Sequence, residues 1–124
     1  MPQTTDAFAV ARRYAGAYAA FDTSELLEVL APDLRFRQVN PGGYPELESA
    51  DAYIDATSQF LETYDAHRSA GASAEEFGDR ILTTSRIRLH RDRGQYLMQH
   101  SEIVTVADGK VVEIESVCTG ARPA

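Results

Sequence analysis

Apolar residues follow a helical period in the first half of the chain and alternate with polar residues in much of the second half. Over residues 6–21, apolar side chains recur at spacings of three and four, which predicts one amphipathic helix. The capping oxygens at residues 22–24 predict a short second helix, which ends at Pro32. A third helix is expected over residues 48–64, with Ser49 as its cap.

Strands are expected where the apolar period shortens to two. The first covers residues 34–39, and the pattern does not decide which of its two alternating sets of side chains faces inward. Residues 67–76 are interpreted as an edge strand, and residues 81–90 and 96–106 alternate clearly. An Asp-Gly turn at 107–110 leads into a last strand at 111–118. Three helices and an antiparallel meander predict an α+β domain, with the helices packed on one face of a curved sheet.

The strand at 96–106 places two ionisable side chains on an otherwise apolar face. Alternation directs every second side chain to the same side of the sheet. That face carries Tyr96, Met98, His100, Glu102, Val104 and Val106. A buried Glu or His needs a partner, and a carboxyl group in an apolar cleft can serve as an acid or base near neutral pH. His100 and Glu102 are therefore candidate catalytic residues.

A structural interpretation of the same two residues is equally open at this point. Arg86 and Arg88 lie on the preceding strand, and opposite charges often pair across neighbouring strands. In that case Glu102 and His100 would only stabilise the sheet.

Length and charge restrict the class of protein. The 124 residues fit one domain, in which residues 121–124 are expected to form a loose tail. The apolar fraction of 44% and the absence of a long apolar run predict no membrane partner. A net charge of -7 disfavours phosphate backbones, so no nucleic-acid partner is expected.

Two further expectations concern metal and location. The three histidines, His67, His90 and His100, show no metal-ligand spacing, so no metal site is expected. The first residues carry neither the basic segment nor the apolar core of a signal peptide, which favours a cytoplasmic location.

The order of motifs resembles the nuclear transport factor 2-like superfamily, and most of all its SnoaL-like group, which includes polyketide cyclases and is related to ketosteroid isomerase. The motifs are a helix with a Tyr-centred face, a Leu-Leu-x-x-Leu-Ala-Pro-Asp helix, a strand closed by Asn-Pro-Gly-Gly, a third helix, and a meander ending in Val-x-Asp-Gly-Lys-Val-Val-Glu-Ile. The resemblance implies a cone-shaped, cystatin-like α+β barrel around an apolar pocket. It also implies a small hydrophobic ligand and a homodimer formed through the outer sheet face.

The resemblance to ketosteroid isomerase carries over at two positions and fails at a third. Tyr14 matches the oxyanion-hole tyrosine of the first helix, and Glu102 matches a functional carboxyl group before the Asp-Gly-Lys turn. Where that enzyme has its general-base aspartate, this chain has Gln38, Val39 and Asn40, none of which accepts a proton at neutral pH. Steroid isomerisation by the same mechanism is therefore not expected.

A different acid–base mechanism is predicted for the remaining residues. His100 and Glu102 suit enolisation, aldol-type ring closure, dehydration or epoxide opening without a cofactor, with Tyr14 or Tyr18 donating to the oxyanion. The expected substrate-binding residues are Tyr18, Gln38, Asn40, Tyr53, Phe60, Tyr96 and Met98. The alternative, motivated by the missing aspartate, is a non-catalytic small-molecule-binding or dimeric interaction module of the same fold.

Overall fold

A computed structural model of the chain describes residues 6–38 and 46–124, with the backbone alone at positions 77, 118 and 119. The helices are α1 (Ala7–Ala20), α2 (Thr23–Val29) and α3 (Ala50–Leu61). The strands are β1 (Leu30–Gln38), β2 (Ala66–Phe77), β3 (Arg80–Arg91), β4 (Gly94–Ala107) and β5 (Lys110–Pro123). The predicted α+β class is confirmed, because the helices accompany a curved sheet that does not close.

Each helix begins at the kind of residue that the sequence predicts. The side chains of Asp6, Asp22 and Ser49 accept hydrogen bonds from backbone N–H groups of the first turns of α1, α2 and α3. Phe21 adopts a left-handed conformation, with φ of 48°, and its backbone N–H bonds back to α1. The capping bonds of Phe21 and Asp22 fix the short connection between α1 and α2.

The sheet has the strand order β1-β5-β4-β3-β2. Strands β2 to β5 form the predicted antiparallel meander, whereas β1 pairs with β5 in parallel. The antiparallel arrangement therefore covers β2 to β5, and the edge strand β1 departs from it. The reason is topological, since β1 joins the sheet beside the last strand rather than through a hairpin with its neighbour in sequence.

The expectation of a loose tail over residues 121–124 is also wrong. Strand β5 continues to Pro123, which pairs with Tyr96, and the backbone N–H of Ala124 donates to the carbonyl of Gln95 at 2.9 Å. The long β4 strand offers hydrogen-bonding groups along its whole length, and the end of the chain satisfies them.

The helices cover one face of the sheet, and the core lies between the two layers. Helix α1 buries Tyr14 and Tyr18 against β3 and β4, and the hydroxyl group of Ser85 donates to the carbonyl of Ala15 at 3.0 Å. The register between β4 and β5 shifts between Ser101 and Glu102 of β4, where β5 has one extra residue. Among the described residues, no helix is long and apolar enough to cross a membrane.

Candidate active site

Four polar side chains from three elements meet inside the core. Tyr14 comes from α1, Tyr53 from α3, and His100 and Glu102 from β4. Their exposed fractions are only 0%, 2%, 4% and 1%, respectively. The face of β4 that the sequence selects therefore points inward, and its two ionisable residues share one buried cluster with two tyrosines.

The carboxyl group of Glu102 is the centre of this cluster. The hydroxyl of Tyr14 donates to Oε1 of Glu102 at 2.5 Å, and the hydroxyl of Tyr53 donates to Oε2 at 3.0 Å. Nε2 of His100 forms a short hydrogen bond with the same Oε2 atom. Both carboxyl oxygens are therefore partnered, as a buried carboxyl group requires.

The two tyrosine hydroxyls also contact each other, with 2.5 Å between their oxygens. Tyr14 has one hydroxyl proton, which it donates to Glu102, so the contact between the hydroxyls needs the proton of Tyr53. Tyr53 can therefore donate either to Tyr14 or to Oε2 of Glu102, but not fully to both. A ligand oxygen placed near these hydroxyls would compete with Glu102 for the proton of Tyr14, and with Tyr14 and Glu102 for the proton of Tyr53.

His100 is the basic group that contacts the buried carboxyl group of Glu102. Every lysine and arginine is at least partly exposed, and among the described residues none of them forms an ion pair with Glu102. With one shared proton the pair is neutral overall, either as carboxylic acid and imidazole or as carboxylate and imidazolium. The proton can move between the two groups of such a pair without leaving an isolated buried charge.

The aromatic ring of Tyr18 packs against the imidazole ring of His100. The two ring centroids lie 4.7 Å apart, and the hydroxyl of Tyr18 lies 3.3 Å from Oγ1 of Thr57. Since Thr57 donates its own proton to the carbonyl of Tyr53, Tyr18 is the donor to Thr57. Tyr18 therefore orients His100 by packing, and its hydroxyl is not available as an oxyanion donor in this arrangement.

The three buried tyrosines are held in their protonated form. Burial raises the pKa of Tyr14 and Tyr53 well above the usual value, and the neighbouring Glu102 carboxyl group raises both further. Burial likewise raises the pKa of Tyr18, again with a contribution from Glu102. At neutral pH the hydroxyl groups of Tyr14 and Tyr53 are thus hydrogen-bond donors.

The expectation that Glu102 and His100 pair with Arg86 or Arg88 is wrong. In the register of β3 and β4, Glu102 lies opposite Thr83 and His100 lies opposite Ser85. The two arginines alternate with these residues and therefore lie on the outer face, where Arg86 donates to Gln99.

The other predicted substrate-binding residues divide into two groups. Met98 is buried in the core, and Gln38 at the end of β1 has a buried Oε1 atom without a hydrogen-bond partner. Tyr96 is only partly buried and packs on Tyr64, with 5.9 Å between the ring centroids. Phe60 is 38% exposed and also packs on Tyr64, so the structure does not bring Phe60 or Tyr96 to the cluster. Position 40, the other predicted contact, lies outside the described residues.

A row of polar side chains extends from Glu102 across the inner face of the sheet. Cα pairing places Gln38 opposite Ser116, Ser116 opposite Glu102, and Glu102 opposite Thr83. Ser116 and Thr83 are not among the predicted site residues, although Thr83 stands in the alternating set that also holds Ile87. The signal for Thr83 is a polar residue on the apolar side of a strand.

A surface groove of about 220 Å³ lies outside this cluster. It is lined by Arg35, Phe36, Arg37, Glu46 and Glu113.

Within residues 6–38 and 46–124, no three His, Cys, Asp or Glu side chains are arranged to hold a metal ion.

Comparisons with known proteins agree with this architecture. The family model described as a SnoaL-like domain matches residues 11–114. A candidate polyketide cyclase from Pseudomonas putida KT2440 has a similar structure, with a TM-score of 0.69, 15% identity, and coverage of 93% of this chain and 92% of the other. An NTF2-like protein of unknown function from Burkholderia pseudomallei K96243 gives a TM-score of 0.67 at 19% identity, covering 91% and 90% of the two chains.

A third similar structure is an LEH-like epoxide hydrolase from M. tuberculosis. Its TM-score is 0.64 at 15% identity, and the alignment covers 94% of this chain and 84% of the other. At these identities the structures show a shared fold. The sequence matches none of the curated proteins.

Proposed function

Since this chain belongs to the SnoaL-like family, we propose that it is a cofactor-independent acid–base enzyme acting on a small hydrophobic carbonyl or epoxide compound. The observation that carries the proposal is the buried Glu102 carboxyl group, which bonds to Tyr14, Tyr53 and His100 at once. An acid–base pair beside two protonated hydroxyl donors is what enolisation, ring closure or epoxide opening requires.

In the proposed reaction the substrate oxygen replaces Glu102 as the acceptor for the hydroxyls of Tyr14 and Tyr53. This exchange frees the Glu102 carboxylate to remove a proton from the carbon next to a carbonyl group, while the two hydroxyls stabilise the enolate oxygen. His100, as imidazolium, holds the second carboxyl oxygen and balances the negative charge, which passes from the Glu102 carboxylate to the enolate oxygen when the proton moves. In epoxide opening the same pair would instead activate a water molecule.

The proposal is tested with acetophenone, whose methyl protons exchange with deuterium when the ketone enolises, and with styrene oxide, whose ring opening gives a diol. We expect the wild-type protein to accelerate one of these reactions, measured by NMR in deuterated buffer. His100→Gln should lower the rate about 10- to 100-fold, because glutamine can bond to Glu102 but carries no positive charge to balance the enolate. His90→Gln, on the outer face of β3, is the matched control and should leave the rate unchanged.

Acceleration of neither reaction by the wild type, or equal rates in wild type and His100→Gln, would contradict the proposal. Thermal unfolding of both variants separates a chemical effect from a loss of folded protein.

A non-catalytic binding or interaction module is the second candidate function. It is favoured by the mutual hydrogen bonds of Tyr14, Tyr53 and Glu102, which satisfy these groups without any ligand. Gln38 and the residues that follow it also supply no general base near the expected position. Binding of acetophenone without exchange of its methyl protons would favour this candidate.

The family resemblance also leads us to propose a homodimer formed through the outer face of the sheet. Leu82 and Ile103 pair on that face and are only partly buried, and Val117 is 43% exposed. Sedimentation should give the mass of a dimer, and Ile103→Lys should shift it towards the monomer because a charge would enter the apolar contact. A monomer at micromolar wild-type concentration would contradict the dimer.

A further inference from the structure

Three buried polar side-chain atoms among the described residues have no hydrogen-bond partner. They are Oε1 of Gln38, Oγ1 of Thr83 and Nδ1 of His100. Buried polar atoms are rarely left without a partner, because each costs about as much as a lost hydrogen bond. Two of the three, on Thr83 and His100, belong to neighbouring strands and to the same inner face.

The register of β3 and β4 places these two residues close together. Thr83 is paired with Glu102, and His100 follows two residues away from Glu102 along the strand, so Thr83 and His100 are diagonal neighbours. Thr83 is fully buried, and His100 is 4% exposed. The two residues therefore belong to the same part of the buried inner face, next to Glu102.

The protonation of the buried pair determines what these atoms can bind. When the pair of His100 and Glu102 is neutral overall, Nδ1 carries a proton in both of its forms. As imidazolium His100 has protons on both nitrogens, and as imidazole it accepts the proton of Glu102 at Nε2 and keeps its own on Nδ1. The hydroxyl of Thr83 is also able to donate. Two unused donors on diagonal neighbours of one face suit an acceptor oxygen placed between them.

We propose that Thr83 and Nδ1 of His100 form a second oxygen-binding subsite, which takes a carbonyl oxygen of the ligand. It is separate from the donor pair of Tyr14 and Tyr53, which contacts the reacting oxygen in the proposed function. The inference rests on that function for its substrate class: the ligand carries two carbonyl oxygens, one at the reacting end and one beside β3. Thr83 then selects among ligands and takes no part in the proton transfer.

The test compares 1-phenylpentane-1,4-dione with valerophenone, in which a methylene group replaces the second carbonyl group at nearly the same size. Affinities are measured by NMR titration of the wild type and of Thr83→Val, which keeps the shape of threonine but removes the hydroxyl. The wild type should bind the dione about tenfold more tightly than valerophenone, and Thr83→Val should lose most of that preference. Thr83→Ser should retain it. In ¹⁵N spectra, Nδ1 of His100 should shift when the dione is added.

Thr84→Val is the matched control, because Thr84 is the next residue on β3, is partly buried and points to the outer face. Equal affinity of the wild type for both compounds, including binding of neither, would overturn the subsite, as would equal losses in Thr83→Val and Thr84→Val. A preference that disappears in Tyr14→Phe but persists in Thr83→Val would place the second carbonyl oxygen at the tyrosines. That result would overturn the second subsite and leave the proposed function standing. Conversely, a preference that depends on Thr83 without any turnover would retain the subsite and contradict the enzyme.

Discussion

Glu102→Gln should lower the rate of acetophenone methyl exchange by about 10²- to 10⁴-fold, the usual contribution of a general base. Glutamine has nearly the shape of glutamate, and its amide oxygen can still accept the hydrogen bond from Tyr14. It cannot take a proton from carbon at neutral pH, however. The expected loss is therefore in kcat/KM, measured under the same deuterated conditions as for the wild type.

Glu113→Gln is the control for this substitution. Glu113 lies on β5 and lines the outer surface groove, so the same chemical change there should not affect exchange. Glu102→Asp should fall between the two, since it keeps a carboxyl group but withdraws it from both tyrosines. Full activity of Glu102→Gln would exclude Glu102 as the base, and a melting temperature near that of wild type would show that the fold had been kept.

The second large effect is expected at alkaline pH. The pKa values of Tyr14, Tyr18 and Tyr53 are raised in the folded protein, chiefly by burial, whereas in the unfolded chain tyrosine ionises near pH 10. Below pH 10 both states keep these protons, and the stabilisation is present in full. Above pH 10 the unfolded chain loses protons that the folded protein retains, so the free energy of unfolding falls as pH rises, until the folded-state pKa values are passed.

With three protons involved, the free energy of unfolding should fall by about 4 kcal/mol per pH unit above pH 10. A domain with a typical stability of about 5–15 kcal/mol should therefore unfold within a few pH units. Phenolate absorbance of the three buried residues should appear together with the loss of the circular dichroism signal. Protein unfolded in urea serves as the reference, in which all phenolates should form without this delay. Phenolate from Tyr14, Tyr18 and Tyr53 in a protein that keeps its circular dichroism would contradict the expected burial.

Local patterns predicted most of the secondary structure and part of the cluster. Helical spacing and capping residues gave α1, α2 and α3, and alternation gave the inward face of β4 with His100 and Glu102. Both signals depend only on neighbours along the chain, which is why a single sequence reveals them. The resemblance to the family added Tyr14, which the structure brings into contact with Glu102.

Features set by long-range pairing could not be obtained in the same way. The parallel partner of β1, the extension of β5 to Pro123 and the start of β1 at Leu30, before Pro32, all depend on which strand lies alongside. Alternation alone does not assign cross-strand partners, so it left Arg86 and Arg88 open as partners of Glu102, although they point to the other face. Phe60 fits the spacing of α3, yet its side chain stays 38% exposed against Tyr64, whereas the next residue, Leu61, is buried.

The parallel pairing of β1 with β5 also has a consequence for how the protein is made. Leu30 aligns with Val111, and the contact between Tyr14 and Glu102 joins residues 88 positions apart. Contacts of such high sequence separation slow folding, since a long loop must close before they form. On the ribosome, β1 has no strand to join until β5 has emerged, although the residues of the cluster are already present once β4 has been made. The side of β1 that pairs with β5 therefore stays open while all the strands between them are synthesised.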